Sequence, residues 1–153
     1  MADSFEATVL IDRPIEQVFD FLVDGENDKK FSARVQEIAK KTDGPIRVGT
    51  VYASTVKDAG IKTEREFELD VVERPTRIRW HEISKAPVFV PAGGYDLVAE
   101  GTGTKVTLFN ELEGAGIGKL IKGFALRSAR KSADGMVQSI KTVIESQPTD
   151  PAA

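Results

Sequence analysis

The chain has 153 residues, 41% hydrophobic and 29% charged, with a net charge of −3. That size and balance suit one domain with its own core. The lack of cysteine excludes disulfides, thiol catalysis and thiolate metal sites, one histidine leaves little for a His-based metal centre, and the acidic excess argues against general nucleic-acid binding. The acidic start, Met1 to Glu6, has no apolar signal-peptide core, and no apolar run reaches the roughly 18 residues of a membrane span, so a cytoplasmic location is expected.

Residues 4–11 alternate and predict a strand with Phe5, Ala7, Val9 and Ile11 on one face. Asp12-Arg13-Pro14 then opens a helix, the proline suited to its first position, and Ile15, Val18, Phe19 and Leu22 form a stripe that packs by one face. The polar stretch 24–32 predicts one or two further helical turns ending near Phe31. After that the period becomes two, with strands predicted over 34–40, 49–57, 62–73, 77–83, 94–100 and 104–112. Asp43-Gly44-Pro45, Asp58-Ala59-Gly60, Arg74-Pro75-Thr76 and Gly101-Thr102-Gly103 supply the turns, and connections so short mean antiparallel hairpins. Residues 84–93, with Pro87, Pro91 and Gly93, read as a longer loop.

From about 116 to 146 no proline intervenes. Ile117, Leu120, Ile121 and Phe124, then Met136, Ile140, Val143 and Ile144, recur at helical spacing and are read as one face. Between them that face carries Ala125, Ser128, Ala129 and Ser132. A helix lying on a sheet ordinarily fills such positions with bulky groups, because interiors close-pack. Small residues there predict the roof of an internal cavity. Thirty helical residues span about 45 Å, enough to cross the sheet. Gly114 to Lys119 follows a strand and opens a helix, but its spacing fits neither a P-loop nor a dinucleotide fingerprint, so it reads as a flexible, close-packed lead into the helix. Residues 147–153 are expected to form a disordered tail, leaving 1–146 as a single ligand-binding domain.

Strand parity assigns the inner face. On 62–73 it holds Thr63, Arg65, Phe67, Leu69 and Val71, with Glu64, Glu66, Glu68 and Asp70 outside. The adjoining hairpins bring Tyr52, Ser54 and Val56 to the same side, then Ile78, Trp80, Glu82 and Ser84. In the last hairpin Tyr95 and Leu97 share a face with Val106, Leu108, Asn110 and Leu112. The candidate ligand-binding residues are Tyr52, Ser54, Arg65, Phe67, Trp80, Glu82, Tyr95 and Asn110 from the sheet, with Phe124, Ser128 and Ser132 from the helix. Three roles stand open for the Arg65–Glu82 pair: a structural ion pair near the rim, recognition of a polar group on a greasy ligand, or Glu82 as general base with Tyr95 or Tyr52 as acid. Parity turns His81 to solvent, and Trp80 serves the core and the cavity wall together. The outer helix face, with Lys119, Arg127, Arg130, Lys131 and Lys141 against Asp134 and Glu145, reads as solvated. No exposed aromatic–basic segment is expected to dock on a membrane.

The element order, together with Arg13-Pro14-Ile15-Glu16-Gln17-Val18-Phe19, Gly49-Thr50-Val51-Tyr52, Arg77-Ile78-Arg79-Trp80 and Gly94-Tyr95-Asp96-Leu97, resembles the helix-grip superfamily (Bet v 1-like, START-like, SRPBCC), especially its polyketide cyclase/dehydrase branch. The resemblance runs from Phe5 to about Ser146. It implies an α+β fold in which a curved seven-stranded antiparallel sheet, in the order β-α-α-β6-α, wraps around a long C-terminal helix. Relatives in that superfamily are mostly carriers of lipids, hormones or other hydrophobic molecules. Some are aromatase/cyclases that fold a carrier-bound polyketide in the same cavity, using pocket arginine, tyrosine and serine around a Trp-x-Ser-x-Arg pattern. The comparable stretch here, Trp80-His81-Glu82-Ile83-Ser84, lacks that arginine. The expected function is binding or transport of a hydrophobic or amphipathic small molecule, with no cofactor and no metal. The alternative is a cofactor-independent polyketide cyclase, aromatase or dehydratase, whose partner would be an acidic carrier protein meeting the basic helix face. A third class is an interaction module with a filled core.

Overall fold

The computed structural model describes residues 3–149. In chain order it comprises β1 (Asp3–Ile11), α1 (Ile15–Val23), a 3-10 helix (Gly25–Lys30), β2 (Val35–Lys40), β3 (Val51–Asp58), β4 (Ile61–Glu73), β5 (Arg77–Glu82), β6 (Val88–Phe89), β7 (Gly93–Glu100), β8 (Gly103–Gly114) and α2 (Gly118–Glu145). The α+β helix-grip architecture expected from the sequence is the one observed. Seven strands pair antiparallel in the order β1-β8-β7-β5-β4-β3-β2, and the two-residue β6 pairs with β8 off that path.

The hairpin turns give the meander from β2 to β8. β1 completes the sheet beside β8, setting Phe5 against Asn110, Ala7 against Leu108 and Val9 against Val106, so the inner faces of first and last strands coincide. The densest core lies where α1 and the end of α2 meet the sheet: Val18 and Phe19 pack with Ile11, Ile78, Val106, Ile140 and Ile144, all at 2% exposure or less. Arg13 fastens this end. Its guanidinium donates to the carbonyls of Glu145 and Gln147, capping α2 where unpaired carbonyls and the helix dipole favour a cation. Its own carbonyl accepts from the buried Thr104 hydroxyl of β8 at 2.8 Å.

Several expectations change. Pro14 sits at the N-cap of α1, one residue before the helix proper. The stretch 84–93 contains β6. A bulge between Leu69 and Val71 inserts Asp70 as an extra residue, so Val71 lies opposite Arg79 while Val72 faces Ile78 and the core. Val71 therefore does not share the inner face of Phe67 and Leu69. Of the expected tail, Gln147 and Pro148 lend their carbonyls to Arg13 and Gln17, and residues 150–153 lie outside the described residues.

The largest correction concerns α2. Its buried side is Leu126, Ala133, Val137, Ile140 and Ile144. Ile117, Leu120, Ile121 and Phe124 are exposed, Phe124 to 77%. With 3.6 residues per turn, Phe124 lies about 160° round the axis from Ile140, so the two apolar clusters occupy opposite sides of the helix. Ser128 and Ser132 are likewise turned to solvent, and Ser132 donates back to the Ser128 carbonyl. An apolar strip beside Lys119 and Arg127 is thus exposed at the start of α2, where no such segment was expected.

Candidate functional site

A cavity of about 370 Å³ lies between the concave face of the sheet and α2. From α2 it is lined by Ala125 and Met136. A vacancy lies under the helix as expected, but of Ala125, Ser128, Ala129 and Ser132 only Ala125 lines it.

Seven of the sheet candidates line it: Tyr52, Ser54, Arg65, Phe67, Trp80, Tyr95 and Asn110. Glu82 is buried behind Arg65, its side chain fully covered. Phe124, Ser128 and Ser132 do not line the cavity, for the helical-phase reason above.

Parity explains why the sheet residues converge. Arg65 faces inward from β4, and the register that pairs Phe67 with Glu82 leaves Arg65 diagonal to that carboxylate. The guanidinium donates twice to it, Nε to Oε2 at 2.5 Å and Nη2 to Oε1 at 2.9 Å. Ser84 Oγ donates to Oε2 at 2.6 Å and the Val90 amide to Oε1 at 3.0 Å. Four donors on one buried carboxylate make a saturated, charge-assisted network. It is the structural form of the pair, and it leaves Glu82 no acceptor capacity facing the cavity. Arg65 Nη2 also donates to the Val88 carbonyl at 3.0 Å, which ties β6 to the wall.

A second fixed feature is the Trp80 indole, which donates to Asn110 Oδ1 at 3.1 Å and meets the Tyr95 ring edge-on at 5.2 Å. That hydrogen bond passes over Gly93. A β-carbon there would lie 2.1 Å from Asn110 Oδ1 and 2.4 Å from Trp80 Nε1, so glycine is required between them. Gly118, the first residue of α2, is pressed as closely on the Pro87 carbonyl, which bears out a close-packed lead into the helix.

At the end of the cavity under the 3-10 helix, the polar groups are not paired. Asp28 lines the cavity there, a residue the sequence reading left inside a featureless polar stretch. Burial, with Asp24 adding to it, pushes its carboxyl up to about 7. Tyr52 is 3% exposed, and its hydroxyl oxygen is buried without a hydrogen-bond partner at full geometry. Burial is the main cause that pushes this phenol up to about 12; a weak approach of the Gly25 amide opposes the rise, and the acids Asp24, Glu26 and Asp28 add to it. The Tyr95 phenol is raised well above its usual range by burial first and Asp28 second. Arg34 and Asp58, which also line the cavity, are joined to each other at 2.5 Å.

On the convex face, Glu68, Asp70 and His81 bring three potential metal ligands within 4.8 Å of one another. His81 Nδ1 and Asp70 Oδ1 are 2.7 Å apart. The group is partly exposed and faces away from the cavity.

A curved antiparallel sheet gripping one long helix over a lined cavity defines the helix-grip class of the Bet v 1 and START superfamily. Within it, the chain belongs to the polyketide cyclase/dehydrase and lipid transport family, which it matches over residues 2–145. Solved structures agree in fold. A protein from Thermus thermophilus superposes with a TM-score of 0.77 at 17% identity, covering 94% of this chain and 97% of that one. The Zhui aromatase/cyclase from a Streptomyces species gives 0.78 at 14% identity, covering 95% and 94%. A START superfamily protein from Mycobacterium smegmatis gives 0.74 at 11% identity, covering 94% and 97%. No curated protein matches the chain in sequence. No helix among the described residues is long and apolar enough to cross a membrane.

Proposed function

We propose that this protein binds a hydrophobic or amphipathic small molecule in the cavity between sheet and α2. The observation that carries the reading is the cavity itself: about 370 Å³ of space with mostly apolar walls and a few convergent polar groups, the usual constitution of a small-molecule site. Apolar burial supplies the affinity, at roughly 25 cal/mol per Å² before association costs are subtracted. The Arg65–Glu82 network and the Trp80–Asn110 bond hold the walls in place, so the pocket does not have to be assembled by its ligand. Family membership supports the same reading.

A cyclase or dehydrase activity in the same cavity is the second reading, and the likeness in fold to the Zhui aromatase/cyclase favours it. The residue first considered as its base, Glu82, is held by four donors and does not support it. Native mass spectrometry of the purified protein tests the binding reading. A bound metabolite or lipid, released on unfolding, is the expected result; bare protein from several hosts and growth conditions would count against it.

A further inference from the structure

The polar groups of the cavity divide into two sets. Arg65 with Glu82, Arg34 with Asp58, and Trp80 with Asn110 satisfy one another. Among the described residues, the Asp28 carboxyl and the Tyr95 hydroxyl, at the end beneath the 3-10 helix, have no hydrogen-bond partner; the Tyr52 hydroxyl beside them has none either but is fully enclosed. Buried polar groups are paired in native proteins, so a group left open toward a cavity is a group that meets its partner there. The charge balance of this end is also one-sided. Both cavity-lining arginines already carry a carboxylate, whereas no cation is joined to Asp28.

We propose that this end of the cavity takes the ammonium group of a cationic amphipathic ligand, with Asp28 as its counter-charge and the Tyr95 oxygen as a further acceptor. The inference rests on the cavity-binding function proposed above and adds the chemistry of the ligand's polar end. An ammonium group offers three donors to the two Asp28 oxygens and the Tyr95 oxygen, and the neighbouring Tyr52, Tyr95 and Trp80 rings add the attraction of aromatic faces for cations. A neutral alcohol would leave the carboxylate uncompensated, and a carboxylate ligand would meet like charge.

The surroundings of Asp28 set the pH dependence. Asp24 precedes it at the start of the same 3-10 helix, which also carries the exposed Glu26, Lys29 and Lys30. β3 presents Tyr52 and β7 presents Tyr95. β2 lends Val35 and Ile38 to the cavity wall and keeps Glu37 exposed, while Arg34, Asp58 and Arg65 line the cavity as paired charges. The free protein holds the Asp28 proton up to about pH 7. An ammonium ligand favours the carboxylate, so its binding expels that proton and strengthens as pH rises through that range.

Calorimetric titration of the full chain with octylamine, cationic throughout, and with 1-octanol tests this at pH 5.5 and pH 8. Octylamine is expected to bind at least about tenfold tighter than octanol at pH 8, and to lose roughly 30-fold in affinity at pH 5.5, as linkage to one group titrating near 7 requires. Octanol affinity should not rise between pH 5.5 and pH 8. In Asp28→Asn, the octylamine-to-octanol ratio at pH 8 should fall below about threefold. The pH titration of the unaltered protein stands even if that variant folds poorly. Octanol binding without preference for the amine, an amine affinity flat with pH, or a preference surviving in a folded Asp28→Asn variant would each overturn the inference while leaving the cavity reading intact. Binding of neither probe would overturn both.

Discussion

Arg65 and Glu82 illustrate how one residue pair serves the wall of a site. The Glu82 carboxylate is fully covered and its charge is neutralised by a guanidinium that is itself only 17% exposed. Removing the cation alone strands a buried carboxylate, which costs about 3–5 kcal/mol, whereas removing both charges leaves an apolar contact. Arg65→Met should therefore destabilise by that amount in urea unfolding, and the double variant Arg65→Met with Glu82→Leu should recover more than half of it. A loss below about 1 kcal/mol in the single variant would show that the pair does not hold the wall. This pair was legible in the sequence because strand parity and hairpin register need only counting. Asp28 was not legible. It lies in a short polar stretch with no apolar period to orient it, and only the packing of the 3-10 helix on the sheet brings it to the cavity that Tyr52 also lines.

α2 shows where periodicity stops being informative. Helical spacing defines neighbours within a turn or two, so the existence and extent of the helix could be read directly. Phase accumulates over longer distances, and the two apolar clusters, each regular within itself, fall on opposite sides. The same limit applies on β4, where one inserted residue at Asp70 exchanges the faces of Val71 and Val72. The assignment of faces on α2 has a direct consequence for stability. Leu120→Asp and Phe124→Ser, at 85% and 77% exposure, should each change unfolding free energy by less than about 0.5 kcal/mol. Ile140→Ala, fully buried against the sheet, should cost about 2–5 kcal/mol. Comparable losses at both sets of positions in chemical denaturation would mean that the start of α2 is packed against something.

At the scale of the molecule, the order of elements and the short turns made the curved sheet and its helix readable before any coordinates. The place of β1 beside β8 was not, because a strand separated from its partner by most of the chain leaves no turn signal behind. The cavity was anticipated from small side chains in the roof, and of those only Ala125 lines it. What remains decisive is whether that space is where a ligand goes. Ala125 lines the cavity from the helix side, half-buried, so a larger side chain there projects into existing room. Titration of the neutral fluorophore N-phenyl-1-naphthylamine into the unaltered protein and into Ala125→Phe measures this most directly. Saturable binding that weakens at least about tenfold in a variant whose unfolding free energy changes by less than about 2 kcal/mol is the expected result. Equal affinity in the two proteins would place the ligand elsewhere and contradict the account.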